Sequence, residues 1–201
     1  LPGLAQRLSE FARQGGILVL TMRSGVKDQA NVCQTERPLP GIFGDLTGIE
    51  ILDYDCLRFR HVPVERNGQA FIAKLWWDVV NLRGAEAWAS GSGGGHAGEP
   101  AITRNPYGAG KVWYVGSCPD EGLMKAFCKA LTEEAGVDPL GPHVPGIELS
   151  RRRAADRDYL FVLNHSEETK APLVDPSWTR LIGRDLIAPF DFQVYERPKR
   201  P

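Results

Sequence analysis

Gly15-Gly16-Ile17-Leu18-Val19-Leu20 sets a double glycine before four consecutive aliphatic residues, the pattern of a short strand buried on both faces of a parallel sheet. Upstream, Leu1, Leu4, Leu8 and Phe11 recur at helical spacing, with Gln6, Arg7, Glu10 and Arg13 on the other side. This predicts an amphipathic helix that Pro2 opens and Gly15-Gly16 ends. A parallel sheet is built from strand–helix–strand crossovers, so either a strand belongs ahead of the first helix or that helix packs without one. The chain opens on Leu1 rather than Met, and the expectation is an α/β sheet domain truncated at its N-terminus.

Downstream, residues 23–40 are polar and turn-rich, and Gly41 to Thr47 predicts a short helix closed by Gly48. Strands are expected at 49–53, 57–62 and 71–76, with Asn67-Gly68 as a tight hairpin turn between the last two. Residues 85–90 alternate with period two, and Gly91 to Gly98 reads as a flexible loop. A second hairpin is expected from 101–104 and 111–115 around Asn105-Pro106-Tyr107-Gly108-Ala109-Gly110. A helix from about 120 to 135 would bury Leu123, Phe127 and Leu131 and end at Gly136. Leu140-Gly141-Pro142-His143-Val144-Pro145-Gly146 marks a corner, and beyond it the pattern is antiparallel β: strands at 147–151 and 159–164, with shorter ones at 171–174, 178–182 and 192–196. The expected domains are therefore 1–144, α/β, and 145–201, a small antiparallel β domain with a frayed tail from Arg197 to Pro201.

Hydrophobic residues make up 42% and charged residues 24% of the 201, which places the chain among folded globular proteins. Lys+Arg 24 against Asp+Glu 25 gives a net charge of −1, so no global field draws in nucleic acid or an anionic membrane. No apolar run approaches the ~20 residues that a membrane helix needs. Cys33, Cys56, Cys118 and Cys128 include no C-x-x-C pair. They read as reduced, mostly buried thiols of a cytoplasmic protein, without a metal site or cofactor.

Few motifs carry chemistry. Gly116-Ser117-Cys118-Pro119-Asp120 lies between a strand and a helix, where a nucleophile elbow would place Cys118. Pro119 removes a backbone N–H that an oxyanion hole would use, and a helix cap from Ser117 or Asp120, with Pro119 in the first turn, is the favoured reading. Gly91 to Gly98 has no Lys-Ser/Thr pair and precedes a strand, against a phosphate loop; it bears on function only if it lies over a neighbour, which makes His96 a candidate contact. The loop Arg23 to Asn31 follows a buried strand at its carboxyl end, the usual place for a polar site in an open α/β sheet. Arg23, Ser24, Asp28 and Asn31 are its candidates. Trp76-Trp77 looks like an exposed aromatic pair at a strand end, suited to an interface or a sugar, although a half-buried place in the core is the commoner one for Trp. Arg151-Arg152-Arg153 reads as a solvated edge.

Several stretches taken together resemble the non-catalytic C-terminal half of the glycoside hydrolase family 42 β-galactosidases. They are Gly15 to Gly25, Pro100 to Asp120, Glu133 to Val137, Gly146 to Arg151, Tyr159 to Ser166 and the closing Leu186 to Glu196, in collinear order along the chain. The resemblance implies a flavodoxin- or amidotransferase-like trimerisation domain followed by a small β domain, with a catalytic TIM barrel N-terminal to both. It also implies a homotrimer, and catalysis by two glutamates ~5–5.5 Å apart in a barrel of ~250 residues. No residue here matches those glutamates, so the expectation is no catalytic residue, no cofactor and an inactive isolated chain. The rival readings are a hydrolase or amidotransferase using Cys118, and a carbohydrate-binding module using Trp76 and Trp77.

Overall fold

The computed structural model describes residues 3–28 and 30–199. Leu1 and Pro2 of the expected first helix, Gln29 of the 23–31 loop and the tail residues Arg200 and Pro201 lie outside them. The chain divides into two compact units, Leu1–Ala135 and Gly136–Pro201.

The first unit opens with α1 (Leu4–Arg13) and β1 (Ile17–Thr21). A 3-10 turn at Gly41–Phe43 runs into α2 (Gly44–Thr47), which ends at Gly48 with φ 64°. The strands are β2 (Ile49–Cys56), β3 (Val62–Arg66), β4 (Gln69–Leu82), β5 (Glu86–Gly91), β6 (Pro100–Tyr107), β7 (Gly110–Val115) and β8 (Ser117–Pro119), followed by α3 (Glu121–Glu134). Their order across the sheet is β1-β7-β6-β5-β3-β4-β2, with β8 also on β4. The sheet is mixed: β1 runs parallel to β7, Ile17 opposite Lys111, and the other pairings among the described residues are antiparallel.

Every residue of β7 except Lys111 is buried, and its side chains alternate between the two faces of the sheet. Trp113 and Val115 join Ile17, Val19, Trp77, Leu123 and Phe127 on the α3 side. Val112 joins Leu8, Ala12, Leu18, Phe43 and Leu46 on the side of α1 and α2. Trp88, Trp113 and Phe127 meet edge to face, with centroids 5.4 to 5.8 Å apart, a favoured aromatic geometry. Asp120 caps α3 by accepting from the Leu123 N–H at 2.8 Å. At the far end of the helix, Glu134 accepts from the Trp113 indole N–H at 3.0 Å and pairs with Lys111.

Several elements differ from expectation. Residues 57–61 are a turn rather than a strand: Arg58 has φ 47°, and the Arg60 N–H donates to the Leu57 carbonyl at 2.7 Å. β2 and β3 thus pair in succession with the two halves of the 14-residue β4. β6 runs through Pro106 to Tyr107, so the second hairpin turns tightly at Gly108-Ala109. Pro119 ends a short strand instead of opening α3, because Ser117 and Cys118 pair with β4. Phe11 is 52% exposed, its ring lying over Gly16, where a Cβ would come within 2.6 Å of it. The thiols are not mostly buried: Cys33, Cys56 and Cys128 are exposed, since one lies in a loop, one at a strand end and one on the outer side of α3.

The second unit is a four-stranded antiparallel sheet, β9 (Ile147–Arg153), β10 (Arg157–Asn164), β11 (Thr179–Ile182) and β12 (Phe192–Pro198), in the order β11-β12-β10-β9. Along β10, Asp158, Leu160, Val162 and Asn164 are buried alternately. Leu160 and Val162 pack with Trp178, Ile187 and Tyr195. Residues 171–174 form no strand; this part of the chain is anchored by the Lys170–Ile187 bridge and by Asn164, whose amide donates to the Ile187 and Ala188 carbonyls.

The aromatic trio sets the stability of the first unit. Phe127→Ala is expected to cost about 3–5 kcal/mol, read from urea denaturation, whereas Met124→Ala on the exposed side of α3 should stay within about 0.5 kcal/mol.

Candidate interface site

β1 delivers the chain to a turn at its carboxyl end. There the Met22 N–H donates to the Val115 carbonyl, the Ser24 N–H donates to the Thr21 carbonyl, and Arg23 takes φ 67°. This turn brings the Arg23 guanidinium over the Trp76 ring, 5.1 Å from its centroid. Tyr54 stacks on Trp76 at 4.7 Å and 11°. The Trp76 indole N–H donates to Asp78 Oδ1 at 2.8 Å, and the Tyr114 hydroxyl donates to Asp78 Oδ2 at 2.7 Å. Four elements, β1, β2, β4 and β7, therefore converge on one carboxylate.

Asp78 is 3% exposed. Burial raises its pKa, against the lowering effect of hydrogen bonds from Tyr114 and Trp76 and of the Arg23 charge. Burial also raises the Tyr114 hydroxyl, helped by the Asp78 charge and hydrogen bond. With both carboxylate oxygens occupied, Asp78 holds the cluster in place, and the surface it supports is Arg23, Trp76 and the 59%-exposed Tyr54.

The other expected site residues fall elsewhere. Asp28 turns inward on its loop, its Oδ1 accepting from the Ala30 and Val32 N–H groups, and Asn31 accepts from Lys27. Ser24 contributes its backbone to the turn. Trp77 is not an exposed partner of Trp76 but fully buried, because neighbours on a strand point to opposite faces. Its indole N–H donates to Glu99 at 2.9 Å. His96 is 8% exposed and lies 5.0 Å from Trp77, ring to ring. Thus Arg23 and Trp76 come together, as do Trp77 and His96. The sequence reading missed Tyr54, Asp78 and Tyr114; an Asp two residues from a Trp on one strand face was the available signal.

Neither rival chemistry finds its geometry. Cys118 sits in β8 opposite Lys74, and among the described residues no histidine is hydrogen-bonded to it. Trp76 carries Arg23 and Tyr54, so its ring is already engaged where a sugar would stack. Among the described residues, no group of three His, Cys, Asp or Glu side chains could hold a metal ion, and no helix is long and apolar enough to cross a membrane. The Arg151-Arg152-Arg153 run is only partly a solvated edge: Arg151 and Arg153, with Arg197 and Trp178, line an open cleft of about 1000 Å³ in the second unit.

Comparison with known proteins gives the kinship of the chain. Residues 2–138 match the beta-galactosidase trimerisation domain of glycoside hydrolase family 42, and residues 146–197 match the beta-galactosidase C-terminal domain. The chain belongs to this family. It is 30% identical over 198 residues to beta-galactosidase BgaP of Planococcus sp. (strain L4), covering 92% of this chain and 29% of that protein. To beta-galactosidase GanA of Bacillus subtilis (strain 168) it is 28% identical, covering 90% and 27%. The crystal structure of the β-galactosidase from Rahnella sp. R3 superposes with a TM-score of 0.88 at 26% identity, covering 98% of this chain and 31% of that one. The chain thus spans about 30% of the length of the relatives it matches.

Asp78 also gives the site a pH signature. Its folded pKa is raised, so the folded state holds the proton more tightly than the unfolded chain, and stability falls as pH rises from the unfolded value through the folded one. Asp78→Asn is expected to remove that descent in a series of urea midpoints taken against pH. Asp78→Ala, which strands the Trp76 and Tyr114 donors, is expected to cost about 1–3 kcal/mol at neutral pH.

Proposed function

We propose that this chain is the assembly and C-terminal portion of a β-galactosidase that hydrolyses terminal β-D-galactosides in carbohydrate metabolism. The observation that carries this reading is the collinear match to the two non-barrel domains of the family over residues 2–138 and 146–197. In this reading a catalytic TIM barrel lies N-terminal to these residues and supplies both glutamates, and the chain itself contributes no catalytic group, cofactor or metal. The functional boundary is placed near residue 144, in the segment between the two matches. The parallel β1–β7 pair, carrying α1 on one side and α3 on the other, is taken as the remnant of a flavodoxin- or amidotransferase-like sheet whose nucleophile position, Cys118, has become part of a strand.

The assembled enzyme is proposed to be a homotrimer formed through the α/β domain. Arg23, Tyr54 and Trp76 lie on the contact surface or at the mouth of a neighbouring active site, and Ser24, Asp28 and Asn31 shape the loop beside them. Exposed aromatic and arginine side chains held rigidly by a buried acceptor have the composition of interface anchors. Four free thiols suit a reducing compartment, and the cytoplasm is the proposed location.

The isolated chain is expected to release no nitrophenol from a nitrophenyl β-galactoside, and turnover that persists through stringent purification would overturn the assignment. In an enzyme carrying the barrel ahead of this chain, a double Arg23→Ala, Tyr54→Ala replacement is expected to shift the species seen by light scattering from trimer toward monomer.

A further inference from the structure

The glycine-rich loop after β5 is not a slack connection. The Gly91 N–H donates to the Glu99 carbonyl at 2.9 Å, the Gly98 N–H donates to the Gly91 carbonyl at 2.8 Å, and the Ser92 N–H donates to the Pro63 carbonyl at 2.8 Å. A Cβ on Gly91 would lie 2.1 Å from the His96 carbonyl oxygen, so the His96 backbone rests directly on the strand. The ring of His96 then fits between two acids. Nδ1 is 2.8 Å from Glu99 Oε2, and Nε2 is 3.2 Å from Asp55 Oδ2. Trp77 packs against the ring and donates to the same Glu99 oxygen. Asp55 in turn receives Arg60 at 2.7 and 2.8 Å. His61, next to Arg60, meets the loop through its backbone carbonyl, near Gly94.

An imidazole with a carboxylate oxygen at each nitrogen can donate to both only as the imidazolium; the neutral ring donates once and turns a lone pair toward the second acid. The charge count agrees. Asp55 and Glu99 are balanced by Arg60 and one imidazolium, and a neutral ring leaves one carboxylate uncompensated in a partly buried cluster.

We infer that the Gly91–Gly98 loop is a proton-operated latch, closed when the imidazolium of His96 bridges Glu99 and Asp55 and loosened when that ring gives up its proton. This goes beyond the proposed function and does not depend on it. The latch ties three pieces together: the loop itself, the end of β2 at Asp55, and the 57–61 turn, which carries the 96%-exposed Phe59. On the acid side it is robust. Burial raises the Asp55 pKa, but the hydrogen bonds from His96 and Arg60 outweigh it and hold the carboxyl below its ordinary value. That contribution is present above the unfolded value and is lost only as pH falls through the folded one.

Amide hydrogen exchange on the 201-residue chain, expressed as protection factors, reads the latch directly at the Gly91, Gly98 and Glu99 N–H groups. Across a pH series, protection at these amides is expected to be about tenfold lower where the ring is neutral than where it is doubly protonated, while amides of β7 stay unchanged. Nitrogen NMR of the His96 ring should show both nitrogens protonated at the acid end. His96→Gln, which can hydrogen-bond but not titrate, should abolish the step. Glu99→Gln keeps an acceptor for Trp77 and should shrink the step even if the His96 variant fails to fold. A step of equal size in either variant, a flat profile in the parent chain while the ring titrates, or a singly protonated ring at the acid end would each overturn the latch.

Discussion

The first unit depends on one strand that is shut away from water on both sides. β7 has the parallel β1 at one edge and the antiparallel β6 at the other; Trp113 and Val115 enter the α3 core, Val112 the α1–α2 core, and Tyr114, on Val112's face, packs with Ile49, Ile51 and Val80. Its entry point shows how tight this packing is. A Cβ on Gly110 would stand 2.2 Å from the Gly16 carbonyl oxygen and 2.3 Å from that of Ala12, so the end of α1, the double glycine and the β6–β7 turn can converge only on a residue without a side chain. Glu134 fastens the opposite face by holding the Trp113 indole and Lys111. Neither layer of helices can shift without disturbing the other, because both lean on the same six residues.

That constraint explains which parts of the fold were legible. A doubly buried strand leaves an unbroken aliphatic run, so Ile17 to Leu20 was readable, and Lys111 to Val115 fell into place beside a turn signal. Asn67-Gly68 declared its hairpin through residues that tolerate positive φ, 50° and 76° here. The segment Leu57 to His61 misled for a physical reason: its alternation of apolar and polar residues suits a strand. The turn there is imposed from β4, where the Leu75 carbonyl, at a residue with φ 61°, takes the Leu57 N–H. Nothing local in 57–61 records that partner.

The site was legible only in its outline. Its place at the carboxyl end of β1 follows from topology, and Arg23 and Trp76 could be named as residue types. Their union could not, because the group that joins them, Asp78, looks in the sequence like one more charged residue in a strand. Composition also misjudged the glycine-rich loop. Five glycines between 91 and 98 read as slack, yet here they permit close approach: they let the backbone fold tightly enough to lower a histidine between two acids.

Both clusters follow the same physical logic. A carboxylate drawn out of water is costly unless its oxygens are occupied, and the buried Asp78 and the half-buried Glu99 meet that demand with indole N–H groups from adjacent residues of β4, Trp76 on one face and Trp77 on the other. The period of two along a strand therefore fastens one acid on each side of the sheet from a single dipeptide. An acid so engaged is poorly placed to exchange protons with a substrate and well placed to fix the orientation of the groups around it. What the two clusters hold outward is Arg23 and Tyr54 beside Asp78 and the 57–61 turn beside Asp55.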